Sequence, residues 1–347
     1  MYHLRFNGSH FEAGQKRGRI FKRFGIHFPI KLDDFQKEYG IQSGKILKQF
    51  FPEGYQEVLG VTDILQINHS YFLAWMMCMG CCMYNLENNI PEVRGCTAFA
   101  FTHNQNTYYG RNNDLPPFLK KGSKAEVYKL DNTSKFLLTT SSFINGEEGV
   151  NEYGLVVAMT FVMTNLLKIK PGFNSFFVVR YLLEKAKSTR DAIELMNKLP
   201  IASNMNILLA DKTGDLVVLE CSSSRIHIRE ALINCHGEKY IATTNEFTSK
   251  VMKPYEYQSE TFQAQRRYEE TINLLSKISP LDNPIVAVQS ILQGKECFIC
   301  QYDKKDNFQT IWSTIVHLND LSIFRAEGDP RKAKFRNDHR LQDISKT

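Results

Sequence analysis

The chain has 347 residues, of which 43% are hydrophobic and 23% are charged, and its formal net charge at pH 7 is +6. This composition excludes an intrinsically disordered chain, and the length fits one large domain or two modest ones. Much of the basic excess lies near the two ends, as at residues 16–23 and 331–334. The middle of the sequence carries no basic stripe interleaved with aromatic residues, so we expect no nucleic-acid partner.

Residues 1–92 carry mostly helical patterns. Ser9 followed by Glu12 is a capping-box pattern, and it opens a helix predicted over residues 9–24. The most apolar run, residues 70–84, is too short to cross a bilayer and predicts a buried helix, so we expect no membrane association. The first residues lack the apolar core of a secretory signal, which predicts a cytoplasmic protein.

The sequence changes in character at Cys96, where short β-prone runs separated by turn clusters begin. Later helices are predicted over residues 175–188, 189–199, 260–276 and 283–292, with further strands between and after the two pairs. This order predicts an α+β protein with two sheets and helices layered on them. We therefore divide the chain into a helical N-terminal segment, 1–95, and a second region, 96–347.

The eight cysteines of a chain without a secretory signal are expected to be thiols rather than a disulfide framework. Cys297 and Cys300 form a C-x-x-C pair that has no second pair at zinc-knuckle spacing. Because they lie in an apolar alternating run, we interpret them as structural residues of a strand. A metal or redox site is the alternative for this pair.

Gly95 and Cys96 stand at the start of the first β-prone run. A thiol needs a base nearby to become a nucleophile, and no cysteine-protease signature surrounds Cys96. If the bond between the two residues were cut, the new α-amine of Cys96, with a reference pKa of about 7.7–8.0, could be that base. Glycine leaves its carbonyl open to the thiol for an N-to-S acyl shift. The alternative is an ordinary buried cysteine in a strand.

Polar residues on later segments could complete such a site. Residues 108–115 end a strand after a turn, which places Arg111 and Asp114 beside the Cys96 strand in an antiparallel pair. Arginine can fix a carboxylate or a polarised carbonyl, and an aspartate can hold an ammonium group. Asn245 lies at a strand end, where its amide could donate to an oxyanion. A surface ion pair and a turn cap are the alternatives for these residues.

Together these motifs resemble the Ntn-hydrolase superfamily, and more narrowly its linear-amide C–N hydrolases. The segments that carry the resemblance are GCTAF (95–99), GRNND (110–114), GVNEYGL (149–155), LLADKTGDLVVLE (208–220), TTNEF (243–247) and RRYEE (266–270). A long segment before the cysteine and the opening GSHFEAGQKRG (8–18) are similar to the acyl-coenzyme A:6-aminopenicillanic acid acyltransferase-like (peptidase C45) family. The related choloylglycine hydrolases and penicillin V acylases lose little more than the initiator residue.

The resemblance implies roles for residues of this chain. Cys96 would be the nucleophile for both self-cleavage and substrate, with its α-amine as the base after processing. Arg111 would help position the thiolate or the scissile amide, and Asp114 would bind the α-amine. Asn245 would donate a hydrogen bond to the oxyanion.

Two further assignments are less direct. Arg267 matches an arginine that supports the charge network of the site, and its neighbour Arg266 is the alternative register. Choloylglycine hydrolases place an asparagine with an oxyanion-binding main-chain N–H after the N-E-x-G-L turn, where this chain reads Met159-Thr160-Phe161. The main-chain role would pass to Phe161. The loss of asparagine argues against recognition of bile salts.

The resemblance also implies a four-layer αββα Ntn-hydrolase sandwich and a zymogen that cuts itself autocatalytically between Gly95 and Cys96. The α-chain (1–95) and β-chain (96–347) would stay together as a heterodimer, which could assemble into a larger homo-oligomer. The substrate would be a small-molecule N-acyl amide, whose acyl group passes through a Cys96 thioester to water or to an amine. Acyl-coenzyme A is a further candidate partner. No metal or organic cofactor is needed, because thiol, amine and oxyanion donors cover each step.

Two other functions are compatible with these residues. One is a choloylglycine-hydrolase-type amidase that acts on bile salts, penicillin V or N-acyl homoserine lactones. The other, from a different class, is a non-catalytic binding protein that has kept the fold. It predicts no processing and no unusual thiol reactivity.

Overall fold

The computed structural model describes residues 1–28, 30–83, 95–141, 144–257, 263–303 and 308–345. Two sheets dominate this part of the chain. In spatial order, the first sheet contains β1 (Tyr2–Gly8), β4 (Lys124–Leu130), β5 (Phe136–Thr140), β6 (Glu148–Asn151), β7 (Leu155–Phe161), β8 (Met205–Asp211), β9 (Leu216–Cys221) and β10 (Ile226–Glu230).

The second sheet carries the segment that begins at Gly95. In spatial order, it contains β11 (Leu232–Ile233), β12 (Lys239–Thr243), β2 (Gly95–His103), β3 (Asn106–Leu115), β14 (Phe308–His317), β15 (Ser322–Ala326) and β16 (Arg336–Asn337), with β13 (Tyr302–Asp303) paired to β14. Apart from the parallel pair of β1 and β4, the strand pairs of both sheets within the described residues are antiparallel.

Most of the helices cover the outer faces of the sheets, whereas the C-terminal helix packs against the apolar cluster between the sheets. The helices are α1 (His10–Arg23), α2 (Asp34–Phe50), α3 (Pro52–Leu65), α4 (His69–Cys78), α5 (Ser175–Lys185), α6 (Thr189–Met196), α7 (Ala264–Leu275), α8 (Pro284–Leu292) and α9 (Arg340–Ser345). The helices predicted at 175–188, 189–199, 260–276 and 283–292 are therefore confirmed within the described residues, where α7 begins at Ala264. Residues 260–262 of the third prediction lie outside the described residues.

Three layers of apolar packing separate these elements. Between the sheets lie small and branched side chains, among them Ala98, Ala100 and Val156. A larger cluster lies between the first sheet and the helices α1 to α6, and another joins the second sheet to α7 and α8. The order helix, sheet, sheet, helix confirms the predicted four-layer αββα sandwich.

The N-terminal segment shares a sheet and a core with the rest of the chain. The predicted capping box is present, since the Ser9 side chain accepts from the Glu12 backbone N–H and the Glu12 carboxylate accepts from the Ser9 N–H. Strand β1 was not predicted, and it extends the first sheet by parallel pairing with β4. The alternation of exposed and buried residues in "YHLRFN", with Phe6 fully buried, was the signal for this strand.

The apolar run at 70–84 forms α4, which is buried as predicted and ends at Cys78. Residue 84 lies outside the described residues. Within the described part of the chain, no helix combines the length and apolarity needed to cross a membrane.

The strand predicted around Cys297 and Cys300 is wrong. Helix α8 ends at Leu292, Gly294 adopts a left-handed φ of +64°, and the chain then runs through turns to the short strand β13. The Phe298 N–H donates to the Glu270 carboxylate rather than to a neighbouring strand. All eight cysteines lie in described residues and are free thiols, as expected.

Candidate active site

The hairpin of β2 and β3 sets the position of the candidate nucleophile. In its antiparallel register Cys96 lies opposite Asn113, Ala98 opposite Arg111, and Gly95 opposite Asp114. Directly paired residues of an antiparallel sheet share a face, and faces alternate along each strand. The side chains of Cys96, Arg111 and Asn113 therefore lie on the face toward the first sheet, while Asp114 lies on the face toward α7 and α8.

Arg111 and Asn113 contact the sulfur. The Nη2 atom of Arg111 is 3.1 Å from Cys96 Sγ and 3.0 Å from Asn113 Oδ1, and Cys96 Sγ lies 3.2 Å from that same oxygen. The Nη1 atom of Arg111 donates to the Met159 carbonyl at 2.5 Å, which ties the site to β7 of the first sheet. The Arg111 guanidinium also packs over the Trp312 ring, 5.6 Å from its centroid.

Asn245 and Arg267 contact the backbone of the nucleophile. The Cys96 backbone N–H donates to Asn245 Oδ1 at 2.8 Å. Arg267 donates to the Cys96 carbonyl at 2.6 Å, to Thr97 Oγ1 at 3.0 Å and to Asn245 Oδ1 at 2.9 Å. The Asn245 side-chain Nδ2 donates to the Phe161 carbonyl at 3.0 Å. The amide nitrogen and the thiol of Cys96 are thus held by separate groups.

Asp114 lies beside the peptide bond that precedes Cys96. Its Oδ1 accepts from the Thr310 hydroxyl at 2.5 Å. Burial raises the pKa of Asp114 from its ordinary 3.8 to about 7, although Arg267, Thr310 and Arg111 favour the charged form. This carboxyl therefore titrates near neutral pH.

Gly95 packs closely against its neighbours in the structure. A Cβ atom there would lie 2.7 Å from the Phe308 ring and 3.0 Å from the Asp114 Cβ. The first distance is shorter than real Cβ contacts, so a larger residue would require the Phe308 ring to shift. The close packing explains the glycine independently of the chemistry proposed for its carbonyl.

The thiol of Cys96 is protonated in this state. It is 3% exposed, and burial raises its pKa, while the positive charge of Arg111 acts in the opposite direction. A buried thiol at neutral pH needs a base before it can attack a carbonyl. The described structure of the intact chain places an amide and an arginine at this thiol, and neither is a base.

The structure brings together most of the residues that the sequence singled out. Arg111 and Asn245 contact Cys96 directly, and the predicted antiparallel placement of Arg111 and Asp114 is confirmed by the register. Arg267 is fully buried against Cys96, whereas the Arg266 side chain is 56% exposed and pairs with Glu270.

Other aspects of the site differ from the expectation or were not foreseen. The Asn245 amide donates to the Phe161 carbonyl, so the group expected at the oxyanion is engaged elsewhere. Asn113 and Thr310 were not predicted as site residues. The antiparallel pairing was predicted without a register; counting outward from the turn gives the register that places Asn113 opposite Cys96, and this was the available signal for Asn113.

No group of three or more histidine, cysteine, aspartate or glutamate side chains among the described residues is arranged to hold a metal ion. Cys297 and Cys300 lie on the turn after α8, with the Cys300 thiol 3.7 Å from an Asp329 carboxylate oxygen.

Comparison with known protein families finds a match over most of the second region. Residues 101–332 match the model of the family described as acyl-coenzyme A:6-aminopenicillanic acid acyl-transferase. No curated protein matches the sequence significantly.

Several solved structures are similar to this chain. Penicillin V acylase from Agrobacterium tumefaciens aligns with a TM-score of 0.52 at 16% identity, over 67% of this chain and 83% of that chain. A Caenorhabditis elegans ortholog of N-acylethanolamine-hydrolyzing acid amidase aligns with a TM-score of 0.48 at 15% identity, over 65% and 93% of the two chains. A mutant of conjugated bile acid hydrolase from Clostridium perfringens aligns with a TM-score of 0.45 at 10% identity, over 70% and 96%. At these identities, the likeness concerns the fold alone.

Proposed function

This chain belongs to the acyl-coenzyme A:6-aminopenicillanic acid acyl-transferase family, whose enzymes act on amide bonds, and from that premise we propose that it is a self-processing enzyme with an N-terminal cysteine nucleophile. The observation that carries the proposal is the division of contacts at Cys96. Its backbone nitrogen is held by Asn245 at 2.8 Å, while its sulfur is held by Arg111 at 3.1 Å.

Self-cleavage would proceed by an N-to-S acyl shift. The Cys96 sulfur attacks the Gly95 carbonyl carbon, the C–S bond forms, and the C–N bond breaks as the thiol proton passes to the departing nitrogen. Water then adds to the thioester, releasing the Gly95 carboxylate and restoring the thiol. Asp114, whose pKa is raised to about 7, lies opposite Gly95 and supplies a group that exchanges protons near neutral pH.

The cut would convert the backbone amide of Cys96 into an α-amine, which is the base that the thiol lacks in the intact chain. A free α-amine keeps N–H groups that donate to Asn245 Oδ1, and it gains a lone pair that an amide lacks. That lone pair takes the proton of the thiol, and Arg111 stabilises the resulting thiolate. The new positive charge of the α-ammonium favours the carboxylate form of Asp114, so the two charges balance.

Turnover of an N-acyl amide uses the same groups. The thiolate adds to the acyl carbonyl, the amine leaves with the proton of the α-ammonium, and a Cys96 thioester remains. Water resolves the thioester in a hydrolase and a second amine resolves it in an acyltransferase. An acyl thioester such as acyl-coenzyme A could load Cys96 in the same way, with a thiol as the leaving group.

The two chains would stay together after the cut. Strand β1 completes the first sheet by pairing with β4, and residues of the N-terminal helices make buried ion pairs with the second region. Arg17 binds Glu126 through two bonds of 2.7 and 2.8 Å, and Glu57 binds Arg180 at 2.6 Å. We place this heterodimer in the cytoplasm, because all its cysteines are free thiols.

The function is tested by giving processed enzyme a panel of amides. The panel combines fluorogenic aminocoumarin amides of short, medium and long acyl chains with penicillin V, and acyl-enzyme is measured as a mass increase on the chain that starts at Cys96. We expect release of amine with transient acylation of Cys96. Added amines that accept the acyl group would show transferase activity.

The proposal would be contradicted by a protein without catalysis, which leaves every amide intact and shows no acylation of the Cys96 chain. Iodoacetamide gives a second readout, since Cys96 is buried in the intact chain and is expected to react once it is an N-terminus. Cys235 is exposed and serves as the internal reference for ordinary thiol reactivity.

A further inference from the structure

The hydrogen-bond donors around Cys96 are mostly occupied. The Asn245 amide donates to the Phe161 carbonyl, and both Nη atoms of Arg267 donate to other site atoms. Acyl transfer through a thioester develops negative charge on the carbonyl oxygen, which needs donors already in place. Two side chains that contact the sulfur have a donor without a hydrogen-bond partner among the described residues, Arg111 at Nε and Asn113 at Nδ2. A residue with a spare donor beside the sulfur identifies where that oxygen can be bound.

Asn113 is such a residue. It lies directly opposite Cys96, is 1% exposed, and accepts at Oδ1 from the thiol and from Arg111. A guanidinium has only donors, so Arg111 fixes Oδ1 on its side of the carboxamide. The Nδ2 group then points away from Arg111, and it has no hydrogen-bond partner among the described residues.

An unsatisfied buried NH₂ group destabilises the folded chain. A purely structural asparagine avoids that cost, and the neighbouring residue of the same strand shows how. Asn112 donates to the Leu292 carbonyl at 2.9 Å and accepts from the Ser313 hydroxyl at 2.6 Å. Asn112 faces α8 and is satisfied at both ends, whereas Asn113 faces the nucleophile with its donors free.

We propose that the Nδ2 group of Asn113 is an oxyanion donor in the chemistry of Cys96, a role that rests on the proposed function. As the Cys96 thiolate adds to the substrate carbonyl, the C–S bond forms and the π electrons move to oxygen, where Asn113 donates a hydrogen bond without giving up its proton. When the amine leaves, the C=O bond re-forms and the donor is released. Asn113 therefore stabilises both acylation and deacylation.

Asn113→Leu and Asn112→Leu form a matched pair for the test. Both replace a buried asparagine of β3 by an apolar residue of similar size. We expect Asn113→Leu to lower the Tm less than Asn112→Leu does, because it removes an unsatisfied donor together with the acceptor that Arg111 and the thiol share. Its kcat on the best aminocoumarin amide should fall by about 10²–10³-fold with little change in KM. Asn112→Leu should lower the Tm and leave the kcat of the remaining processed enzyme within a few-fold of wild type.

Asn113→Asp separates the loss of the Nδ2 donor from the loss of the Oδ1 acceptor that Arg111 binds. Aspartate keeps an acceptor for Arg111 and lacks the N–H groups, so we expect the same loss of kcat. Because a carboxylate also raises the pKa of a nearby thiol, the kcat of each variant is compared at its own pH optimum. A loss that persists there supports the donor role. This variant also serves if Asn113→Leu does not fold.

Two results would overturn the proposal. One is an Asn113→Leu or Asn113→Asp enzyme whose kcat per processed molecule lies within three-fold of wild type. The other is a loss of kcat in Asn113→Asp that disappears at higher pH, which assigns the effect to the thiol pKa. Wild-type enzyme that turns over none of the amides contradicts the proposed function itself, so the two failures are distinguishable.

Discussion

The backbone nitrogen of Cys96 lies 2.8 Å from the Oδ1 atom of Asn245. This bond needs only an N–H donor, so it is available to the amide before the cut and to the α-amine afterwards. In the intact chain, Asn245 thus holds the nitrogen that would become the base in the proposed mechanism, while its amide group is engaged with the Phe161 carbonyl. It receives its own orientation from Arg267 and from the Phe161 carbonyl.

Asn245→Leu should therefore misplace the α-amine. We expect the kcat of the processed enzyme to fall by about 100-fold, in the range of a general base that has lost its alignment. The measurement is steady-state hydrolysis of an aminocoumarin amide, normalised to the amount of processed chain. An unchanged kcat would show that the α-amine is held by other groups.

Arg267 and its neighbour Arg266 offer a matched pair of substitutions. Arg267→Lys removes the planar donor set that bridges the Cys96 carbonyl, Thr97 and Asn245, so both Tm and kcat should fall. Arg266→Lys changes a half-exposed side chain paired with Glu270 and should alter stability by less than about 0.5 kcal/mol. Thermal unfolding and kinetics of both variants provide the check, and equal effects would contradict the inward position of Arg267.

The raised pKa of Asp114 predicts a pH-dependent stability. The folded carboxyl keeps its proton up to about pH 7, whereas the unfolded carboxyl loses it near 3.8. Between these values the folded Asp114 binds more protons than the unfolded one, so the contribution of this group to the free energy of unfolding falls as pH rises through this window and is level above it. The total change is up to about 4 kcal/mol.

Denaturant unfolding of the Cys96→Ala chain, which we expect to remain intact, measures this dependence. Adding Asp114→Asn should remove this contribution, so the gain in stability over the parent chain should grow from pH 4 to pH 7. A difference between the two proteins that stays constant across this range would show that Asp114 titrates normally.

Buried ion pairs between the N-terminal segment and the second region predict how the cut chains stay together. Arg17→Leu leaves Glu126 buried without its bidentate partner, which should cost about 3–5 kcal/mol. The processed variant should release its N-terminal chain on gel filtration under conditions where wild type co-elutes. Arg19→Leu, on the exposed side of α1, is the control. Co-elution of both variants would mean that β1 and the apolar contacts suffice.

The hairpin at the nucleophile could be predicted because its signals are local. Turn residues between two β-prone runs fix an antiparallel pair, and the alternation of faces then places Arg111 and Asn113 beside Cys96. Asn113 was missed because buried asparagines are usually structural, and only its free Nδ2 atom distinguishes it from Asn112.

Other features depend on contacts between distant segments. Strand β1 pairs with β4, more than a hundred residues later, and no local signal names that partner. The orientation of Asn245 depends on the Phe161 carbonyl, which comes from the other sheet. The strand expected at Cys297 failed because Gly294 turns the chain and Glu270 captures the Phe298 N–H, and neither event is visible in the apolar pattern.

Intact-mass spectrometry of the purified protein tests the central claim most directly. Wild type should yield two polypeptides whose masses place the break between Gly95 and Cys96, while Cys96→Ala, purified in the same way, should yield one chain of full mass. A wild-type chain that stays whole, or a Cys96→Ala chain that is cut at the same bond, would contradict the account.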